Sequence, residues 1–170
     1  DRWVQCKIAE NPSINGFLQL KIMQDNSLRS ALANNPNISL DIILRLAQES
    51  DNNIRRNLVE HHDLDESILL KFLEEDKYLK SRVIEKDILS ETVQLKLFDL
   101  DEYSSVRKEL ASKPCVCEVI QLKLAQEEDQ WVRGCLASNP NISEKTQLKL
   151  AQDEDGWVRN KLYQNPNLSV

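Results

Sequence analysis

One short unit, written about six and a half times, limits what this chain can fold into. An apolar anchor opens each copy at Val4, Leu28, Ile54, Leu79, Val106, Val132 and Val158, with separations of 24, 26, 25, 27, 26 and 26 residues. Four residues further on stand Ile8, Leu32, Leu58, Val83, Leu110, Leu136 and Leu162, and ten further on stand Ile14, Ile38, Leu64, Leu89, Val116, Ile142 and Leu168. All five prolines share one phase of this register and all three tryptophans share another. A unit this small cannot bury its own apolar face, so copies must stack on copies.

The punctuation within a copy predicts two short helices separated by a turn. Asp1, Asp25, Asp51, Asp76, Asp129 and Asp155 stand three residues before the anchor, with Tyr103 the exception, and are placed to cap the first helix. Asn11-Pro12, Asn35-Pro36, Lys113-Pro114, Asn139-Pro140 and Asn165-Pro166 then end it. The residue before proline is driven out of the α region, and proline has no amide to donate. Copies three and four carry His61-His62 and Lys86-Asp87 instead, so their turns are expected to differ in shape. Ser39, Ser90, Ser143 and Ser169, with Asn15 and Asp65, are placed to cap the second stretch, and only Cys117 breaks that pattern.

Stretches of about nine or ten residues fall short of the ~12–15 that even a marginal isolated helix needs, so stacking has to stabilise them. Small residues at Ala9, Ala33, Ala111 and Ala137 invite close approach between first helices. In the second stretch, apolar pairs such as Leu20 and Ile22, Leu44 and Leu46, or Leu148 and Leu150 lie about 200° apart on a helix, which predicts burial on two sides. The expected fold is all-α with no β-sheet, a single α-solenoid repeat domain over residues 1–170.

Asp155, Trp157-Val158-Arg159, Leu162, Asn165-Pro166 and Leu168, followed in earlier copies by Gln-Leu-Lys-Leu-Ala, resemble the leucine-rich repeat variant family along the whole chain. The resemblance implies a right-handed superhelix whose unit pairs an α-helix with a short α or 3₁₀ segment. The Asp-x-x-Val-Arg phrase also resembles HEAT repeats, whose unit is longer. Some members of the former family resemble iron–sulfur proteins with a cysteine cluster ahead of the repeats, and the present sequence carries no such cluster.

Composition narrows the function classes. With 41% hydrophobic and 29% charged residues and no apolar run near 18, no membrane span is expected. The net charge of −6 disfavours a general affinity for nucleic acid or anionic lipid. Cys6, Cys115, Cys117 and Cys135 fall at four different phases, which points to reduced thiols and a cytoplasmic setting. No signal-peptide pattern is present. A start at Asp1 and an incomplete last copy ending Leu168-Ser169-Val170 lead us to expect a fragment of a longer protein.

Candidate functional residues come from three rows. A basic residue follows the anchor at Arg29, Arg55, Lys80, Arg107, Arg133 and Arg159, expected to pair within its helix or with the capping Asp of the adjacent copy. A second row, Lys21, Arg45, Lys71, Lys96, Lys123 and Lys149, is too sparse to track a nucleic-acid backbone and reads as solvated surface. The third slot holds Trp3, Ser27, Asn53, Tyr78, Ser105, Trp131 and Trp157, and its tolerance of Ser and Asn predicts exposed aromatics. Trp131 and Trp157 occupy successive copies, each with Arg133 or Arg159 two residues on, the composition of a binding hot spot. Trp131, Trp157, Arg133, Arg159 and Tyr78 are therefore the expected partner-binding residues, and replacing both tryptophans by serine is expected to spare folding.

The segment Glu60-His61-His62-Asp63-Leu64-Asp65-Glu66 gathers imidazoles and carboxylates, but adjacent histidines in a turn diverge and Asp65 is placed to cap a helix, and Cys115 and Cys117 lack zinc-knuckle spacing. No metal or other cofactor is expected. Gly16, Gly134 and Gly156 form no phosphate loop, and no nucleophile elbow or HExxH helix appears. The reading is a non-enzymatic protein-interaction scaffold for a partner of unknown identity. The alternative is a nucleic-acid-binding HEAT-like solenoid, one that resembles DNA glycosylases and uses Trp131, Trp157, Arg133, Arg159 and Asp155.

Overall fold

A computed structural model describes residues 1–100 and 104–169. The chain forms two compact units, Asp1–Arg82 and Val83–Val170. The described residues are all-helical, with thirteen α-helices and no strand. The first unit contains α1 (Arg2–Glu10), α2 (Gly16–Met23), α3 (Arg29–Ala33), α4 (Leu40–Leu46), α5 (Asn52–His61) and α6 (Glu66–Glu75). Helix α7 (Lys80–Val83) ends at the boundary in sequence. The second unit contains α8 (Glu91–Leu100), α9 (Ser105–Ser112), α10 (Glu118–Leu124), α11 (Gln130–Ala137), α12 (Glu144–Ala151) and α13 (Gly156–Tyr163). Short 3₁₀ turns at Asn26–Leu28 and Lys77–Leu79 lead into α3 and α7.

The aspartate caps form as expected. The carboxylates of Asp1, Asp25, Asp51, Asp76, Asp129 and Asp155 each accept the amide two residues on, at 2.7–3.0 Å. Tyr103, the exception, lies outside the described residues, and α9 begins after Ser104, which has a φ of 62° and no side-chain capping bond. The second helices follow the rule less completely. Asn15, Ser90 and Ser143 accept from Leu18, Val93 and Thr146, whereas Ser39 and Asp65 make no capping bond. The first turns of those two helices carry Asp41 and Glu66, whose negative charge favours the free amides without a bond.

Like helices stack on like. In the first unit α1 packs on α3 and α3 on α5, while α2 packs on α4; in the second, α9 packs on α11 and α11 on α13, while α8 packs on α10 and α10 on α12. The anchor and the residue four later are buried in every described copy but the first. The second helices correct the expectation of two-sided burial. Leu20 and Leu148 remain 45% and 51% exposed, while Gln19, Ile22, Thr146, Gln147 and Leu150 are buried. The buried positions are spaced i, i+1 and i+4 in α12 and i and i+3 in α2, one helical face in each, so these two helices are covered on one side.

The polar residues beside these faces join one copy to the next. The Asn35 side chain donates to the carbonyls of Ala9 and Asn11, Asn139 to those of Ala111 and Lys113, and Asn165 to those of Ala137 and Asn139, at 2.7–3.0 Å. Each also accepts the amide two residues on, so one carboxamide closes its own turn and braces the preceding one. Gln19, Gln94, Gln121 and Gln147 form a second row of rungs, donating to carbonyls of their own and the following copy and accepting an amide of the following copy. Buried amide groups of this kind are tolerated because every polar atom finds a partner.

Two of the three turns without Asn-Pro, those at His61-His62 and Lys113-Pro114, improvise on this scheme. Helix α5 runs one residue further, through His61, and the chain becomes extended at His62. The His62 imidazole is buried with Nε2 3.1 Å from the carbonyl of Ala33, so that nitrogen carries the proton in place of an asparagine amide. Lys113 likewise donates to the carbonyl of Lys86 at 2.8 Å.

Candidate functional site

The Trp slot lies at the start of the first helix or of the 3₁₀ turn leading into it, and in every copy but the fifth an aspartate two residues earlier caps it. Trp3, Tyr78 and Trp131 are exposed, as the Ser and Asn occupants of the slot predict, while Trp157 is partly buried. The Trp131 and Trp157 rings meet edge to face, with centroids 4.7 Å apart and an interplanar angle of 64°. Such a contact favours one ring orientation over free rotation. Trp157 is held from below as well, because its ring sits on the backbone of Gly134, where a Cβ would overlap it. The Trp157 ring fills the space over Gly134, so its replacement by serine would open a gap there. Tyr78 belongs to the first unit and has the Lys77 ammonium 5.8 Å from its ring centroid.

The arginines following the anchors are structural. Arg133 is 6% exposed and spends its guanidinium inside the protein. Its Nε and Nη2 grip the Asp153 carboxylate at 2.7 and 3.0 Å, and Nη1 donates to the carbonyls of Glu127 and Glu128 at 2.7 and 3.0 Å. Arg159 donates to the carbonyls of Asp153 and Glu154. Arg29, Arg55 and Arg107 pair with Glu49, Glu75 and Glu127 at 2.6–2.7 Å. The expected ladder thus exists with a different acid. Arg29, Arg55, Arg107 and Arg133 reach an acid at the end of the second helix or just after it, Glu49, Glu75, Glu127 and Asp153.

Electrostatics follow from this geometry. Burial pushes the Asp153 carboxyl up, but hydrogen bonds from Arg133 and from the Asp155 amide, with the charges of Arg133 and Arg159, outweigh it and hold the group below the usual carboxylate range. The hydrogen bond to Asp153 raises the Arg133 pKa in turn. Asp129 is also held low, chiefly by the hydrogen bond to Lys108, whose Nζ lies 2.9 Å away.

Beside Trp131 opens a shallow cleft of about 640 Å³ lined by Glu128, Asp129, Trp131, Arg133, Glu154 and Asp155. The sequence pattern drew attention to Trp131, Trp157 and Arg133 but not to Gly134, Glu128 or Glu154. A signal for Gly134 was present. Glycine inside a helix is unfavourable, and in this slot the other copies carry Cys6, Ser30, Arg56, Ser81, Lys108 and Asn160.

The remaining candidates separate. In the second basic row, Arg45 pairs with Asp41, Lys71 donates to the carbonyl of Ala47, and Lys123 lies over the Phe98 ring. Asp155, one of the residues of the DNA-glycosylase-like alternative, caps α13, and both its arginines are bound to backbone carbonyls. Cys115 donates to the carbonyl of Asp87, and burial raises the Cys117 thiol. Among the described residues no group of three or more His, Cys, Asp or Glu side chains is placed to hold a metal ion. No described helix is long and apolar enough to cross a membrane. Compared with known proteins, the chain matches no family model, no curated protein and no solved structure.

Proposed function

We propose that this chain is a non-enzymatic, cytoplasmic protein-interaction scaffold, and that within each unit its copies stack as a right-handed α-solenoid of the leucine-rich repeat variant type. Like-on-like helix packing and asparagine rungs reaching 24–28 residues back support the stacking. The observation that carries the binding role is Trp131, 55% exposed yet held against Trp157. A large rigid aromatic surface loses little side-chain entropy on contact, which makes it an effective anchor for a partner. Arg133, buried, and Arg159, half-buried, bind backbone carbonyls beside the anchor, and Tyr78 offers a separate exposed aromatic in the first unit.

Site-specific photocrosslinking tests the reading. A photoreactive residue in place of exposed Gln130 should link the full chain to a discrete protein in its native cells. Trp131→Ser, with its helical content unchanged by circular dichroism, should lose that product. An unchanged product in the serine variant, or the absence of any product in the wild type, would refute the role of Trp131.

A further inference from the structure

The charge around Trp131 narrows the chemistry of the partner. Of the residues lining the cleft, Glu128, Asp129, Glu154 and Asp155 are acidic and only Arg133 is basic. Arg133 is already closed on Asp153, and Asp129 is engaged by Lys108. What remains is an excess of carboxylate. The Glu154 side chain is 92% exposed, and its contact to Arg133 is at 3.9 Å. Glu128 is exposed and has no ion pair among the described residues, while Asp155 accepts the Trp157 amide as the cap of α13.

An indole face attracts cations through its quadrupole, and carboxylates beside it add directional partners for a guanidinium or ammonium. The same surface repels phosphate. We propose that the Trp131 cleft binds a basic peptide segment, with the stem of one Arg or Lys laid on the exposed indole and its charge set among Glu128, Glu154 and Asp155. This inference rests on the scaffold reading and gives its partner a chemical class. Trp157 and Gly134 set the ring position, and the two glutamates set the preference for positive charge.

The test uses fluorescence anisotropy with the full chain and three labelled peptides: alternating Arg-Gly, alternating Ser-Gly and alternating Glu-Gly. The Arg-Gly peptide should bind, more weakly as salt rises, and the other two should not. Glu128→Lys/Glu154→Lys should raise its Kd by at least about tenfold, the ratio that corresponds to 1.4 kcal/mol. Trp131→Ser should weaken it comparably. Glu109→Lys/Glu144→Lys, an equal change in net charge at exposed residues that do not line the cleft, should leave it near the wild-type value. Equal binding of all three peptides, no binding of the Arg-Gly peptide, or equal losses in the two charge-reversed variants would overturn the inference. The crosslinking experiment separates this failure from failure of the scaffold reading. A product lost in Trp131→Ser but kept in Glu128→Lys/Glu154→Lys leaves the scaffold standing and removes the basic partner.

Discussion

The benzo edge of the Trp157 indole rests on the bare Cα of Gly134 in the preceding copy, so closely that a Cβ there would overlap the ring. Trp157 in turn presents itself to Trp131 edge to face. The glycine thus determines where two aromatic rings sit, although it makes no contact of its own with solvent chemistry. Gly134→Ala poses two opposed effects. Helix propensity alone would stabilise by roughly 0.5–1 kcal/mol, while overpacking costs about 1–3 kcal/mol. The steric term should win, giving a lower denaturant midpoint and an altered near-ultraviolet tryptophan signal. In a Trp157→Ser background the same change should become neutral or stabilising. A stabilising Gly134→Ala in the wild-type chain would show that the rings do not pack this way.

Asn139 joins its own turn to the one before it through a single carboxamide. Asn139→Ala leaves the carbonyls of Ala111 and Lys113 without that donor in a buried place, a loss of about 1–3 kcal/mol. Asn139→Asp should be worse at neutral pH, because a carboxylate cannot donate to either carbonyl and would be buried as an unpaired charge. Urea unfolding of the two variants checks the order. An aspartate variant as stable as wild type would exclude the rung.

What the sequence made legible, and what it did not, divides along physical lines. The all-helical class, the aspartate caps and the contact between Trp131 and Trp157 were readable because each depends on local chemistry repeated at a fixed period. The double role of Asn35, Asn139 and Asn165 was half hidden. Asn-Pro announces a helix end, but a rung to the previous copy appears only when two copies are laid side by side. His62 shows why pattern alone falls short there, since an imidazole one residue later meets the same carbonyl need. The two-sided second helix was misread because leucine at the half-exposed position looks identical in sequence to leucine in the core, whereas buried Gln121 and Gln147 look like surface. For the binding candidates, Arg133 shared its period with an acid twenty residues on, and only three-dimensional geometry reveals that it is consumed by Asp153.

The Arg133 and Asp153 pair makes stability depend on acidity with a definite sign. The Asp153 carboxyl is held below its ordinary range in the folded chain, so it contributes stability that is present above the unfolded value of about pH 4 and is lost as pH falls through the folded value. The wild type should therefore lose stability on acidification below about pH 4 more steeply than Asp153→Asn. At neutral pH the asparagine variant takes the close counter-ion from a buried guanidinium that keeps its carbonyl bonds and the 3.9 Å contact to Glu154, so the cost should lie below the ~3–5 kcal/mol of a fully broken buried pair. Denaturant unfolding between pH 2 and pH 7 checks both. Parallel pH profiles for the two proteins would exclude the pair as a contributor.

Stacking of one copy on the next makes its own quantitative prediction. Val4 and Ile8 of α1 are 44% and 41% exposed, while their counterparts Val132 and Leu136 in α11 are fully buried between α9 and α13. The side chains occupy the same register and differ in their neighbours, so the same deletion should carry different costs. Leu136→Ala removes a packed side chain and should cost about 2–5 kcal/mol, depending on how far α9 and α13 can close the gap. Ile8→Ala removes a side chain that is only partly covered, and its cost should be smaller, about 1 kcal/mol. Ala137 is fully buried in α11, so Ala137→Leu should also destabilise, by overpacking. Equal losses for Ile8→Ala and Leu136→Ala would mean that the first helices draw their stability from within each copy, and the stacking principle would fail.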